Sequence, residues 1–469
     1  MSTTLQKFRK ITPVNGLDTQ DPDNAMQNNY AWSITQLGDY IYVGTARNIP
    51  YSIFSNQVFG DIPPPKELTP ENPMMAGEIW RYRLDGTEEW QRVYRSPEDL
   101  VNLGFRFMIT YTTPNGETAI YAGALTLTPQ LFMLKSTDGI NWRLLPNDIA
   151  GFSTRYMVEH KGKLYMGALP LTGQAPIQLY SSFDPEENGW DLVDVYGDPD
   201  KNPRGNVDLL LSYNDHLYVG TGRHTGFELW RTLGEEPQKD QWKLVVDQGA
   251  GDARNEHPWA LAVFKDYIYI GTAIEAAVLS LNPNQQIIPP KGFDLIRVDR
   301  NDNWELIVGG KPVVPTEPTT GIRGLPRSGF LSGFANISNA YCWQLAVQND
   351  ELYLGTFSWS VLIPAFIPLL PKILIPMLPN NIKNLVSLFL PNILNILLEI
   401  FSELLMTLGQ WTFGFDLWKT KDGIYWIPVS LNGLGNPHNY GVRMLYLADN
   451  NNLYLGTANP FDGLEVWVK

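Results

Sequence analysis

A five-residue pattern recurs along the chain: "IYVGT" from Ile41, "IYAGA" from Ile120, "LYMGA" from Leu164, "LYVGT" from Leu217, "IYIGT" from Ile268, and "LYLGT" from Leu352 and again from Leu453. Such self-similarity constrains a fold more than any single motif, because each copy must be one supersecondary unit that buries its apolar face only against its neighbours. Two further elements travel with it. One is seen as "GEIWRY" from Gly77, "GFELWRT" from Gly226, "GFDLIRV" from Gly292, "GFDLWKT" from Gly414 and "GLEVWVK" from Gly463, with degenerate forms around Leu131 and Ile177. The other is a Trp with an apolar residue three positions on, at Trp90, Trp142, Trp190, Trp242, Trp304 and Trp426.

The first two elements occur seven times and the third six. The opposite end of the chain supplies the missing copy: in "KFRKI", Phe8 and Ile11 have the Trp-x-x-apolar spacing. Each unit reads as four short strands, with Asp-Gly turns in "TDGINW" from Thr137 and "KDGIYW" from Lys421. The pattern predicts an all-β fold, a single seven-bladed β-propeller over residues 1–469, closed by the N-terminal strand completing the last blade. Composition agrees, since 40 Gly, 35 Pro and 15 Trp suit many short strands separated by turns. The turn motifs resemble shortened Asp-box hairpins of sialidase-like propellers, and their role here is read as structural. A propeller by itself implies no activity.

Charge and cysteine content narrow the classes of function. A formal net charge of −14 disfavours nucleic acid and anionic membranes as partners, because phosphate recognition needs a basic surface. The single cysteine, Cys342, excludes an internal disulfide or a cysteine metal cluster, and reads as a small buried apolar residue. The start "MSTTLQKFRKITPVNGLDTQ" has no apolar core of a signal peptide, so a cytoplasmic location is expected.

Four long insertions, Asn48 to Ala76, Ala273 to Lys291, Gly309 to Ser338 and Val361 to Met406, are expected to rise from the top face of the propeller. Loops on a rigid scaffold are where binding and catalysis concentrate, which makes the top of the central channel the leading site. Counting back ten residues from the Tyr of each YVGT copy gives Trp32, Arg155, Asp208, Trp259 and Trp343. Allowing for a longer hairpin and for one extra residue adds Arg106 and Arg443. One reading makes these seven residues fillers of a narrow channel. The other makes them a pocket with an Arg sector for a carboxylate, phosphate or leaving halide and a Trp sector for an apolar or cationic moiety. On that second reading Asp208, Arg106, Arg155 and Arg443 are the catalytic candidates. Trp32, Trp259, Trp343, Arg223, His257 and Trp359 are the substrate-binding ones. His224, His257 and His438 share the top loops without the short spacing of a zinc motif, so neither a metal nor another cofactor is expected.

The segment "VLIPAFIPLLPKILIPMLPNNIKNLVSLFLPNILNILLEIFSELLM", within an apolar, partly helical insertion at 357–411, is cut by prolines at 364, 368, 371, 376, 379 and 391. Its final piece reads as a helix of roughly 25 Å, short of a full membrane crossing, with a stripe carrying Glu399 and Glu403. Three readings stand: a lid over the channel, a shallow contact with a bilayer, or a homodimer interface.

The YVGT and ELW units, with the Arg, Asp and aromatic residues at the channel mouth, are similar to the propeller half of the cyanobacterial Friedel–Crafts alkylases, which join alkyl chlorides to resorcinols. That resemblance implies that Arg106, Arg155 or Arg443 binds a departing anion, that Asp208 accepts a proton or orients a phenol, and that the tryptophans stabilise cationic character. The function expected is an enzyme acting on a hydrophobic or amphiphilic small molecule, with alkylation-type carbon–carbon bond chemistry. The alternative is a non-catalytic propeller that holds a lipid, a membrane surface or a protein through its insertion; a purely structural scaffold comes third.

Overall fold

The computed structural model describes residues 7–55, 64–169, 177–274, 280–281, 287–288, 290–366 and 413–469. The proposed lid, bilayer-contact and dimer roles of the apolar insertion fall almost wholly on 367–412, outside the described residues. Among the described residues, no helix is long and apolar enough to cross a membrane.

The chain is mostly strand, and its strands pair antiparallel. Asn28–Leu37 pairs with Tyr40–Arg47, which pairs with Glu78–Arg83, which pairs with Gln91–Arg95. This four-stranded meander is repeated from the first strands Asn102–Thr112, Ser153–His160, Asn206–Tyr213, His257–Phe264 and Asn339–Gln348. The last meander runs through Gly441–Leu447, Leu453–Ala458 and Val466–Val468, and its outer partner is Arg9–Lys10 from the other end of the chain.

The repeat motifs explain how neighbouring meanders pack. The glycine of YVGT is a steric requirement: a Cβ on Gly271 would stand 2.1 Å from Cys342 Sγ, and one on Gly456 would stand 2.4 Å from the Ala31 Cβ. Each approach joins one meander to the next, and the second joins the last to the first. The Tyr of the motif reaches the Asp-Gly turn of a neighbour, since a Cβ on Gly139 would lie 1.9 Å from the Tyr42 hydroxyl. Asp138 shapes that turn by accepting the Ile140 and Asn141 backbone N–H groups, each at 2.8 Å, and these bonds hold its carboxyl down at about 2.

A second recurring lock has no counterpart in the YVGT pattern. The side-chain amides of Asn28, Asn255, Asn339 and Asn439 donate to the buried carboxylates of Glu78, Asp294, Asp416 and Glu465, at 3.0, 2.9, 2.6 and 2.6 Å. Each acid is the acidic residue of an ELW-type element. Each Asn stands four positions before one of the Trp or Arg residues that the register count selects. The lock therefore anchors the chain just as it enters the first strand of a meander.

Candidate functional site

In all seven first strands the ladder breaks its register at the residue that the sequence count selects, and three of them break it a second time nearer the strand's start, at Asn29, Leu103 and Ala340. Pairing skips from Ala31 to Ser33, Phe105 to Phe107, Thr154 to Tyr156, Val207 to Leu209, Pro258 to Ala260, Cys342 to Gln344 and Val442 to Met444. The skipped residues are Trp32, Arg106, Arg155, Asp208, Trp259, Trp343 and Arg443. A bulge leaves its extra residue unpaired, bends the strand and re-aims the side chain, which is why bulges recur beside functional sites. Six of the seven line a cavity of about 370 Å³; Trp343 is not part of its wall and packs in an aromatic cluster.

The structure corrects the expected division into an Arg sector and a Trp sector. Each ring arginine instead lies over an indole: Arg106 over Trp32 at 5.7 Å, Arg155 over Trp259 at 4.4 Å and Arg443 over Trp343 at 5.5 Å. A cation–π contact of this kind stabilises the guanidinium charge without accepting a hydrogen bond from any of its N–H donors.

Asp208 is the acidic centre of the ring. Its side chain is fully buried, with Arg155 Nη1 2.9 Å from Oδ1 and His257 Nδ1 2.5 Å from Oδ2. Burial opposes ionisation, but Arg155, His257 and Arg106 outweigh it and hold the carboxyl below its ordinary value. An ionised carboxylate only accepts, so the proton in the His257 contact sits on Nδ1. The Arg155 contact is an ion pair without an aligned hydrogen bond, leaving Asp208 Oδ1 with unused accepting capacity among the described residues. Gly222 makes the arrangement possible, because a Cβ there would stand 2.2 Å from Asp208 Oδ2 and 2.4 Å from His257 Nδ1.

An aromatic cluster adjoins the ring and shares Trp32 and Trp259 with the cavity wall. It contains Tyr30, Trp343, Phe357 and Tyr440, and the first residues of the apolar insertion, Trp359, Val361 and Leu362, pack on it. The Tyr30 and Tyr440 hydroxyls are hydrogen-bonded to each other, and burial lifts both phenols above their ordinary range.

The remaining sequence candidates are dispersed. Arg223 does not line the cavity; it is ion-paired with Glu228 beside a separate surface pocket that also contains Arg204 and Asp247. Trp359 belongs to the aromatic cluster, and its indole N–H has no hydrogen-bond partner among the described residues. Cys342 is buried against Gly271, and burial raises its thiol well above the ordinary range. His438 pairs with Asp462 at 2.8 Å rather than with another histidine. No group of three His, Cys, Asp or Glu side chains able to hold a metal occurs among the described residues. The described parts of the four long insertions contribute no residue to the cavity wall. The 309–338 connection is fastened elsewhere: Val313 and Val314 donate to Asp252, and Thr319 and Thr320 to Asp247.

Two contributors escaped the sequence reading. Gly222 was hidden as an ordinary turn glycine after "LYVGT". The Asn locks carried a signal, a constant offset of four residues from the ring positions, legible only once those positions are aligned.

No protein-family model matches the sequence, and neither does any curated protein. Solved structures with some likeness include the computationally designed Ika8 protein, 10% identical, with 94% of this chain and 97% of that chain covered at a TM-score of 0.39. A prolyl endopeptidase is 10% identical over 91% of this chain at a TM-score of 0.39, and this chain spans 46% of its length. A nidogen/laminin complex gives 11% identity, coverage of 63% and 90%, and a TM-score of 0.35. These values assign no activity to the chain.

Proposed function

We propose that the chain is a seven-bladed β-propeller whose N-terminal strand completes the seventh blade, and that its central cavity is the active site of an enzyme acting on a small hydrophobic or amphiphilic molecule. The repeated four-stranded meanders, the Arg9–Lys10 strand on Val466–Val468, and the bridge between Tyr30 and Ala458 support the architecture. The size of the cavity, about 370 Å³, suits a small organic guest, since ligand sites commonly enclose roughly 300–1,000 Å³.

The observation that carries the catalytic reading is Asp208, held between Arg155 and His257 in the cavity wall. A buried acid with a charge partner and an imidazole partner in a cavity wall is a candidate proton-transfer centre. In this reading Asp208 accepts a proton from the substrate, or orients a substrate hydroxyl through Oδ1, while His257 and Arg155 keep the carboxylate ionised and in place. The reaction class proposed is alkylation-type carbon–carbon bond formation, in which the new bond replaces a C–H bond of the aromatic ring, whose proton goes to Asp208, and a carbon–leaving-group bond of the alkyl donor, whose leaving group departs as an anion into the arginine-bearing cavity.

The test is mass spectrometry of small molecules that copurify with the protein, followed by turnover of the identified compound. Asp208→Asn is expected to reduce turnover at least a hundredfold while the compound still binds; general base catalysis contributes about 10²–10⁴. Equal turnover by the variant overturns the assignment. Binding without any conversion by the wild type assigns the cavity to carriage instead of catalysis.

A further inference from the structure

We propose that the cavity grips its guest by an anionic group, a carboxylate or phosphate, held between the guanidiniums of Arg106 and Arg443. This rests on the reading that the cavity is the substrate site, and it names the chemical class that the site selects.

The argument begins with unequal pairing in the ring. Of the seven bulged residues three are arginines and one is a carboxylate, and Asp208 is committed to Arg155 and His257. No carboxylate lies within ion-pair distance of Arg106 or Arg443 among the described residues. Arg443 is 8% exposed, its Nε has no hydrogen-bond partner among those residues, and its Nη1 donates to the weak acceptor Met444 Sδ at 4.0 Å. Both guanidiniums lie within cation–π distance of an indole, which offsets their charge in part and accepts from none of their N–H donors.

A buried guanidinium without an anion is expensive to maintain. Its cost is visible in the pair: burial, with repulsion from Arg155, pulls Arg443 down to about 9, and burial with repulsion from Arg155 and Arg443, offset only in part by the Asp208 charge, lowers Arg106. An anion between them relieves both penalties, and a planar fork of donors suits carboxylate and phosphate oxygens. The rest of the wall is mixed, with Phe107, Ile109 and Leu261 beside Ser33, Thr35, Thr110 and Gln344, so it can take an apolar body behind the anionic head without selecting for one.

Titration calorimetry with octanoate, octanol and inorganic phosphate tests this on the full chain at low ionic strength. Octanoate is expected to bind at least tenfold more tightly than octanol, and Arg443→Gln and Arg106→Gln each to remove most of that preference while leaving octanol unchanged. Arg443→Lys is expected to retain part of it. The comparison of octanoate with octanol needs no variant, so a variant that fails to fold leaves the test intact. Phosphate binding as tightly as octanoate keeps the clamp and assigns it to the free anion. Octanol equal to octanoate overturns the clamp but leaves the cavity reading standing. Binding of none of the three overturns the clamp and the cavity reading together.

Discussion

His257 Nδ1 approaches Asp208 Oδ2 to 2.5 Å across a space that only a glycine at position 222 leaves open. Gly222→Ala is therefore expected to separate the pair without touching either partner's chemistry. The downfield proton resonance of a short imidazole–carboxylate hydrogen bond is the readout, present in the wild type and absent in the variant. The thermal midpoint should fall as well, since inserting a methyl group into a packed site costs about 1–3 kcal/mol. A retained resonance in a folded variant would show that the strand yields instead.

Removing Arg155 and removing the charge of Asp208 should differ in cost. Arg155→Ala leaves a buried carboxylate with His257 as its close partner, so destabilisation near the lower end of about 3–5 kcal/mol is expected. Asp208→Asn leaves Arg155 over Trp259 and partly open to solvent, and should cost less. Urea denaturation of both single variants and the double variant measures the coupling.

Gly271→Ala probes the packing of one meander on the next. The new Cβ would stand 2.1 Å from Cys342 Sγ and 2.3 Å from Cys342 Cβ, so Cys342→Ala should fail to rescue it. Recovery of the wild-type midpoint in the double variant would mean that the sulfur alone sets the spacing.

Asp294 gives the fold an acid limit. Burial opposes its ionisation, yet Lys291, Arg323 and Asn255 bring its carboxyl down from 3.8 to about 2. Because the folded value is depressed, the unfolded chain takes up the proton first as pH falls. The stabilisation is complete above about pH 4 and is lost progressively toward pH 2. Asp294→Asn should flatten stability against pH in that window, while lowering it at neutral pH by about 3 kcal/mol or more because Arg323 loses its carboxylate. An unchanged acid profile would assign the limit to other groups.

Much of the architecture was legible because its signals are local and repeated. Glycine in YVGT recurs in every unit, the acid of the ELW element in five of them and Asp-Gly in fewer, and each answers a steric or hydrogen-bonding demand, so weak signals add into a strong one. The ring positions were legible for the same reason, since a fixed offset from the YVGT tyrosine finds all seven bulged residues once two hairpin lengths are allowed for.

Pairings inside the ring were beyond that reach. Position along a strand says which residues share a level, whereas distance across a central cavity depends on how the meanders are arranged about it. The sequence alone thus determined the strand-rich repeat, its turns and the seven bulged positions, six of which line one cavity. Only the tertiary structure decided that each arginine lies within cation–π distance of a tryptophan, that Asp208 is taken by Arg155 and His257, that Gly222 makes room for them, and that Arg106 and Arg443 have no carboxylate in ion-pair distance among the described residues. The physical reason is range: hairpins and bulges are governed by near neighbours in the chain, while burial and charge balance are settled by side chains that are far apart in sequence and meet only when the chain is folded.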